Sequence, residues 1–110
     1  MGTFVLDSYR TLYYAVLVKV IGRDVLRRAI LKHADAAGRL RAWLKEVEGA
    51  QWANPQEVKA RYQASSFLAD DIVIFNIGGN KYRLEVRIDY ELSIVVIRWV
   101  GTHAEYSRRD

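Results

Sequence analysis

The clearest pattern in the chain lies between residues 81 and 90. Tyr82, Leu84, Val86, Ile88 and Tyr90 are apolar or aromatic, and Lys81, Arg83, Glu85, Arg87 and Asp89 between them are charged. Successive side chains on a strand point to opposite faces, so this is a strand with one buried and one polar face. Just upstream, Ile72–Ile77 is β-branched and apolar apart from Asn76, and Gly78-Gly79-Asn80 separates the two runs as a hairpin turn. Ser93–Thr102 forms a further strand, and Ala104–Asp110 reads as a polar tail. The turn sets Ile77 opposite Tyr82 and Phe75 opposite Leu84 on the core face, with Asn76 opposite Arg83 and Ile74 opposite Glu85 on the other. If Ile97 and Trp99 also face the core, Arg98 comes close to Glu85. A slip of one residue would reverse every face. In this register Asn76, the start of strand 81–90 and Thr102-His103 gather at one end of the sheet.

Ahead of the strands the period changes. Residues 1–15 resist placement, and Val16–Ile21 alternates as a strand. Asp24 is a candidate cap for a helix reaching about His33, with Val25, Leu26, Ala29 and Ile30 on one face. A second helix starts near Asp35; Leu40, Trp43, Leu44 and Val47 make its apolar stripe and Gly49 its stop. Asn54-Pro55-Gln56-Glu57 places Asn at the cap, Pro at the first helical position and Glu at the third, opening a short helix that ends near Tyr62. A helical hairpin laid on one face of an antiparallel sheet of three to five strands is an α+β two-layer sandwich. Trp43 and Trp99 are core candidates, and Trp52 fits either core or surface.

Composition narrows the classes. At 110 residues the chain has room for one core. It has no Cys, which removes disulfides, thiolate metal sites and a Cys nucleophile, and it suits a cytoplasmic setting. The net charge is +4, and residues 19–62 hold ten Lys and Arg against five Asp and Glu. That surplus is either a docking face for RNA or an acidic partner, or a solvated helix face. The most apolar stretch, Leu12–Ile21, is far short of the roughly 20 residues needed to span a bilayer and contains Lys19. No basic leader or A-x-A cleavage site marks a signal peptide.

The candidate chemistry sits at the turn end of the sheet. Phe75-Asn76-Ile77-Gly78-Gly79-Asn80-Lys81-Tyr82-Arg83, then Ile97-Arg98 and Gly101-Thr102-His103-Ala104-Glu105-Tyr106, resembles the F-N-x-G-G-N-x-x-R … I-R … T-H-x-E-Y pattern of HigB-type toxins. These are toxins of type II toxin–antitoxin systems, mRNA interferases of the RelE-like fold. The resemblance covers about residues 18–108, so 18–110 is expected to be the toxin domain and 1–17 an extension outside the pattern.

The resemblance implies a metal-independent and cofactor-free endoribonuclease that cleaves mRNA on the translating ribosome and inhibits translation. It also implies a helix-turn-helix antitoxin as partner, and contact with DNA only through the toxin–antitoxin complex. The chemistry needs a proton taken from the RNA 2′-OH, a counter-charge for the phosphorane-like transition state, and a proton for the leaving 5′-oxygen. Arg83 supplies charge in a fork that matches phosphate oxygens. An imidazole can gain or lose a proton under physiological conditions, so His103 is the natural acid or base. Tyr106 can stack on a base. Lys81 can hold a phosphate, or act as base if neighbouring cations lower its pKa. Asn76, Asn80, Arg87, Arg98 and Thr102 are the candidate RNA-binding residues.

Each residue also has a plainer reading. Arg87 and Lys81 fit a solvated strand face. Arg98 can simply balance Glu85, and Tyr106 can close the core edge. His33 fits a helix end. Two His and no Cys make no metal-ligand cluster, and Gly78-Gly79 is a turn with no helix after it to cradle phosphate. Two rival readings share the fold: a non-enzymatic toxin of the ParE type that poisons DNA gyrase, and an inactive relative that only binds antitoxin.

Overall fold

The computed structural model describes residues 2–6 and 12–109, and the side chains of residues 17–109. Residues 1 and 7–11 of the N-terminal segment, and Asp110 of the tail, lie outside the described residues. In chain order the elements are β1 (Gly2–Leu6), β2 (Leu12–Val16), β3 (Lys19–Ile21), α1 (Arg23–Lys32), a 3-10 turn (Ala34–Ala36), α2 (Ala37–Glu48), α3 (Pro55–Arg61), β4 (Ser66–Phe67), β5 (Ile72–Ile77), β6 (Tyr82–Asp89), β7 (Ile94–Thr102) and α4 (His103–Ser107). β1 and β2 form an antiparallel pair of their own. The other five strands make one sheet in the order β3-β7-β6-β5-β4.

The hairpin register matches the pattern of the sequence. Ile77 pairs with Tyr82, Asn76 with Arg83, Phe75 with Leu84 and Ile74 with Glu85. Gly78 and Gly79 carry the turn in the left-handed region, at φ 66° and 68°, where a side chain would be strained. Phe75, Leu84, Val86, Ile88, Val95 and Ile97 form the sheet side of the core. Leu26 and Ala29 of α1, Leu40, Trp43 and Val47 of α2 and Val58 of α3 cover it from the helical side. Phe75 is the centre of an aromatic cluster: ring centroids of Trp43, Trp52 and Tyr62 lie 5.5, 6.4 and 4.9 Å from it, which settles Trp52 in the core.

Four expectations are corrected. The sheet is mixed and not purely antiparallel, because β3 runs parallel to β7 with Lys19 against Ile94. A parallel partner can sit far away along the chain, across a long connection. Helix α1 is entered through Gly22 and not capped by Asp24; Asp24 instead pairs with Arg28 one turn on, and this holds its carboxyl below the usual range. The residues after Thr102 are a short helix, not a tail. Trp99 faces away from the core. Glu85 pairs with Trp99 but Val86 with Ile97, so Arg98 is the extra residue of a β-bulge, and the bulge moves Trp99 to the face of Glu85.

Gly22 packs against β7. Its φ is 91°, and a Cβ there would lie 2.5 Å from the carbonyl oxygen of Ile97. We expect Gly22→Ala to lower unfolding free energy by about 1–3 kcal/mol in urea titrations. Gly38→Ala meets nothing within 4 Å and should leave stability unchanged or raise it by about 0.4–1 kcal/mol. An equal response at both glycines would contradict the close approach at Gly22. Among the described residues, no helix is long and apolar enough to cross a membrane.

Candidate active site

The end of the sheet that carries the β5–β6 turn also carries the end of β7. Tyr82 pairs with Thr102 and Arg83 with Gly101, so the start of β6 lies beside the start of α4. Thr102 caps that helix in a reciprocal arrangement: its Oγ1 accepts from the Glu105 amide at 3.1 Å, and its own amide donates to Glu105 Oε1 at 2.8 Å. This is the S/T-x-x-E capping box, present in the sequence as Thr102-His103-Ala104-Glu105. The amide from Thr102 also holds the Glu105 carboxyl below its ordinary range. A Cβ on Gly101 would meet the Trp99 ring at 2.5 Å and Glu105 Oε1 at 2.8 Å, so glycine leaves room for the capping box.

The cap sets His103 at the first position of α4. Its amide donates to the carbonyl of Lys81 at 2.9 Å, fastening the helix to the turn. Its ring meets Arg83: Nη2 of the guanidinium lies 2.7 Å from His103 Nδ1. A guanidinium can only donate, so Nδ1 accepts and the ring proton belongs on Nε2. Arg83 is itself 8% exposed, an unusual depth for a charge. It is kept there by hydrogen bonds. Nη1 donates to the carbonyls of Asn80 and Tyr82, both at 3.2 Å, and Nη2 to Asn80 Oδ1 at 2.7 Å.

Arg83 and His103 line an open cleft of about 630 Å³ together with Asn76, Glu85, Tyr106 and Arg109. Glu85 is also buried, and two guanidinium groups meet it: Arg98 Nε at 3.1 Å and Arg109 Nη2 at 2.9 Å. Arg109 lies 4.3 Å over the Trp99 ring and 5.7 Å from that of Tyr106, and the two rings are 6.1 Å apart. The cleft therefore combines fixed guanidinium charge, an imidazole with a defined tautomer and an aromatic wall.

The candidate residues divide. Arg83, His103 and Tyr106 come together in the cleft, with Asn76 on its lining, Asn80 orienting Arg83 and Thr102 capping α4. Arg98 reaches the site only through Glu85. Arg87 lies farther along β6, in a groove with Asp71 and Asp89, away from His103. Lys81 turns to the helical layer and forms an ion pair with Asp35. The hydrogen bond that Lys81 donates to Asp35, and then the Asp35 charge, push the ammonium pKa up, so the lowered pKa that a general base needs is not met.

Sequence reasoning placed Arg98 beside Glu85, as found, but missed Arg109 as the second partner, because a charged residue in an apparent tail gave no sign of it. Among the described residues, no group of three or more His, Asp or Glu is placed to hold a metal ion.

A comparison with curated proteins finds no match. A family model described as HigB_toxin, the RelE-like toxic component of a toxin-antitoxin system, matches residues 36–109. The match runs from α2 to α4 and includes every residue of the cleft. The chain belongs to the HigB toxin family, the RelE-like toxic components of toxin–antitoxin systems.

Proposed function

We propose that this toxin is an endoribonuclease that cuts mRNA on the translating ribosome, with the Arg83–His103 pair at the reacting phosphate. The toxin role and an antitoxin partner follow from the family; the reaction is inferred from the cleft. The supporting observation is the 2.7 Å contact between Arg83 Nη2 and His103 Nδ1 in an open cleft. It leaves the Nε2 proton on the other side of an exposed ring.

In this reading the RNA 2′-OH passes its proton to water as its oxygen attacks the adjacent phosphorus, the bond to the 5′-oxygen breaks, and that oxygen is protonated through His103 Nε2–H, the ring regaining its proton from solvent. Arg83 neutralises the charge that gathers on the phosphoryl oxygens. It is already buried and hydrogen-bonded, so little reorganisation is needed as that charge develops. Tyr106, beside Arg109, offers a face on which a nucleobase can stack. Asn76 supplies an amide on the cleft wall. None of these steps is assigned to a metal.

The protein induced without its antitoxin should arrest growth, and its transcripts should show breaks within coding regions. The purified toxin should keep its cleavage rate after treatment with a chelator. Intact mRNA alongside trapped gyrase–DNA complexes would move the reading to the gyrase-poisoning class. Growth unaffected by a folded, antitoxin-binding chain would mark an inactive relative.

A further inference from the structure

The Arg83–His103 pair rests on the backbone of the turn beside it. Arg83 Nη1 donates to the carbonyls of Asn80 and Tyr82, and the His103 amide donates to that of Lys81. Three consecutive carbonyls, from residues 80 to 82, thus set where the guanidinium and the imidazole stand. Of the two glycines before them, Gly78 lies beside Arg39 and Tyr82, and Gly79 is open. Gly78 and Gly79 are left-handed, and a Cβ on Gly79 would find nothing within 4 Å.

The β5 and β7 ladders hold the backbone of Tyr82, and the helical layer adds a hold on the side chains of residues 81 and 82. Asp35, on the 3-10 turn between α1 and α2, receives both side chains that follow Asn80. Its Oδ2 pairs with Lys81 Nζ, and its Oδ1 accepts from the Tyr82 hydroxyl at 2.6 Å. Tyr82 is 5% exposed and lies with its ring centroid 5.0 Å from that of His33 at the end of α1. One carboxylate therefore grips two successive residues of the turn, while the backbone of the same two residues grips Arg83 and His103 from the other side.

We infer that Asp35 is a positioning residue for the Arg83–His103 pair, acting through the Lys81-Tyr82 segment. The inference rests on the reading of that pair as the reaction centre. An exposed Asp–Lys pair contributes little to stability by itself, so its expected effect is on geometry. The hydrogen bonds from Lys81 and then Tyr82 hold the Asp35 carboxyl down at about 2. The grip is thus fully charged across the neutral range.

The test compares Asp35→Ala, Asp35→Glu and Tyr82→Phe in the full chain. Nitrogen NMR of the His103 ring should show the Nε2–H tautomer in the wild type and a mixture in Asp35→Ala. In single-turnover cleavage Asp35→Ala should lower kcat about 10- to 100-fold, as small misplacements do, with KM changed less than about twofold. Asp35→Glu should recover most of the rate. Tyr82→Phe keeps the buried ring and removes only the hydroxyl, and its effect should not add to that of Asp35→Ala. A wild-type tautomer and kcat in Asp35→Ala would overturn the inference. So would a loss of rate that only follows a fall in melting temperature and that Glu does not restore. If the wild type cuts no RNA, the ribonuclease reading fails, and the tautomer comparison alone decides whether Asp35 sets the pair.

Discussion

His103→Gln should cut RNA about 10²–10⁴-fold more slowly than the wild type, the usual loss when a proton-transfer group is removed. Glutamine keeps similar bulk and can still accept from Arg83, but it has no ring proton to give. His103 is exposed at the first position of a short helix. The substitution should therefore leave stability within about 0.5 kcal/mol and antitoxin binding unchanged. Single-turnover cleavage, thermal melting and antitoxin titration on one preparation separate these effects. A variant that cuts at full rate removes His103 from the reaction; one that fails to fold shows the ring to be structural.

Arg83→Lys should lose nearly as much activity, although it keeps the charge. The guanidinium makes four hydrogen bonds, to two carbonyls, one amide oxygen and the imidazole. An ammonium on a flexible stem cannot reproduce that fork. Because the position is buried, the acceptors left unpaired should also cost about 1–3 kcal/mol in unfolding free energy. The loss of cleavage should be about 10²–10³-fold, as for removal of one donor at a developing oxyanion. Activity near the wild-type level in Arg83→Lys would mean that charge alone is enough and that the defined His103 tautomer is not needed.

What could be read in the sequence follows from how local each cause is. The β5–β6 register was legible because alternation and a Gly-Gly-Asn turn together leave only one pairing that buries Phe75, Tyr82 and Leu84. The α3 start was legible because Asn54 caps it locally, accepting from the Glu57 amide at 3.0 Å. Trp99 was misread because a bulge is a property of two strands, and a single strand carries no mark of the residue it skips. The partnership of β3 with β7, and that of Asp35 with Lys81 and Tyr82, join segments far apart in the chain that no local period connects. The helix after Thr102 was a missed local signal. Its capping box stood in the Thr102 to Glu105 spacing, but five residues without a buried face carry no periodicity. The gathering of Asn76, Arg83 and His103 at one end of the sheet was legible, since antiparallel order alone brings them there.

The pairing of β3 with β7 also sets when the protein can become itself. Lys19 waits for Ile94, so more than four-fifths of the chain must be synthesised before the sheet acquires this edge. Contacts this distant along the chain form slowly, because loop-closure entropy must be overcome before they give any return. Arg83 is made earlier, and its partner His103 follows 20 residues later. A chain broken off between them carries the guanidinium without the imidazole that it contacts.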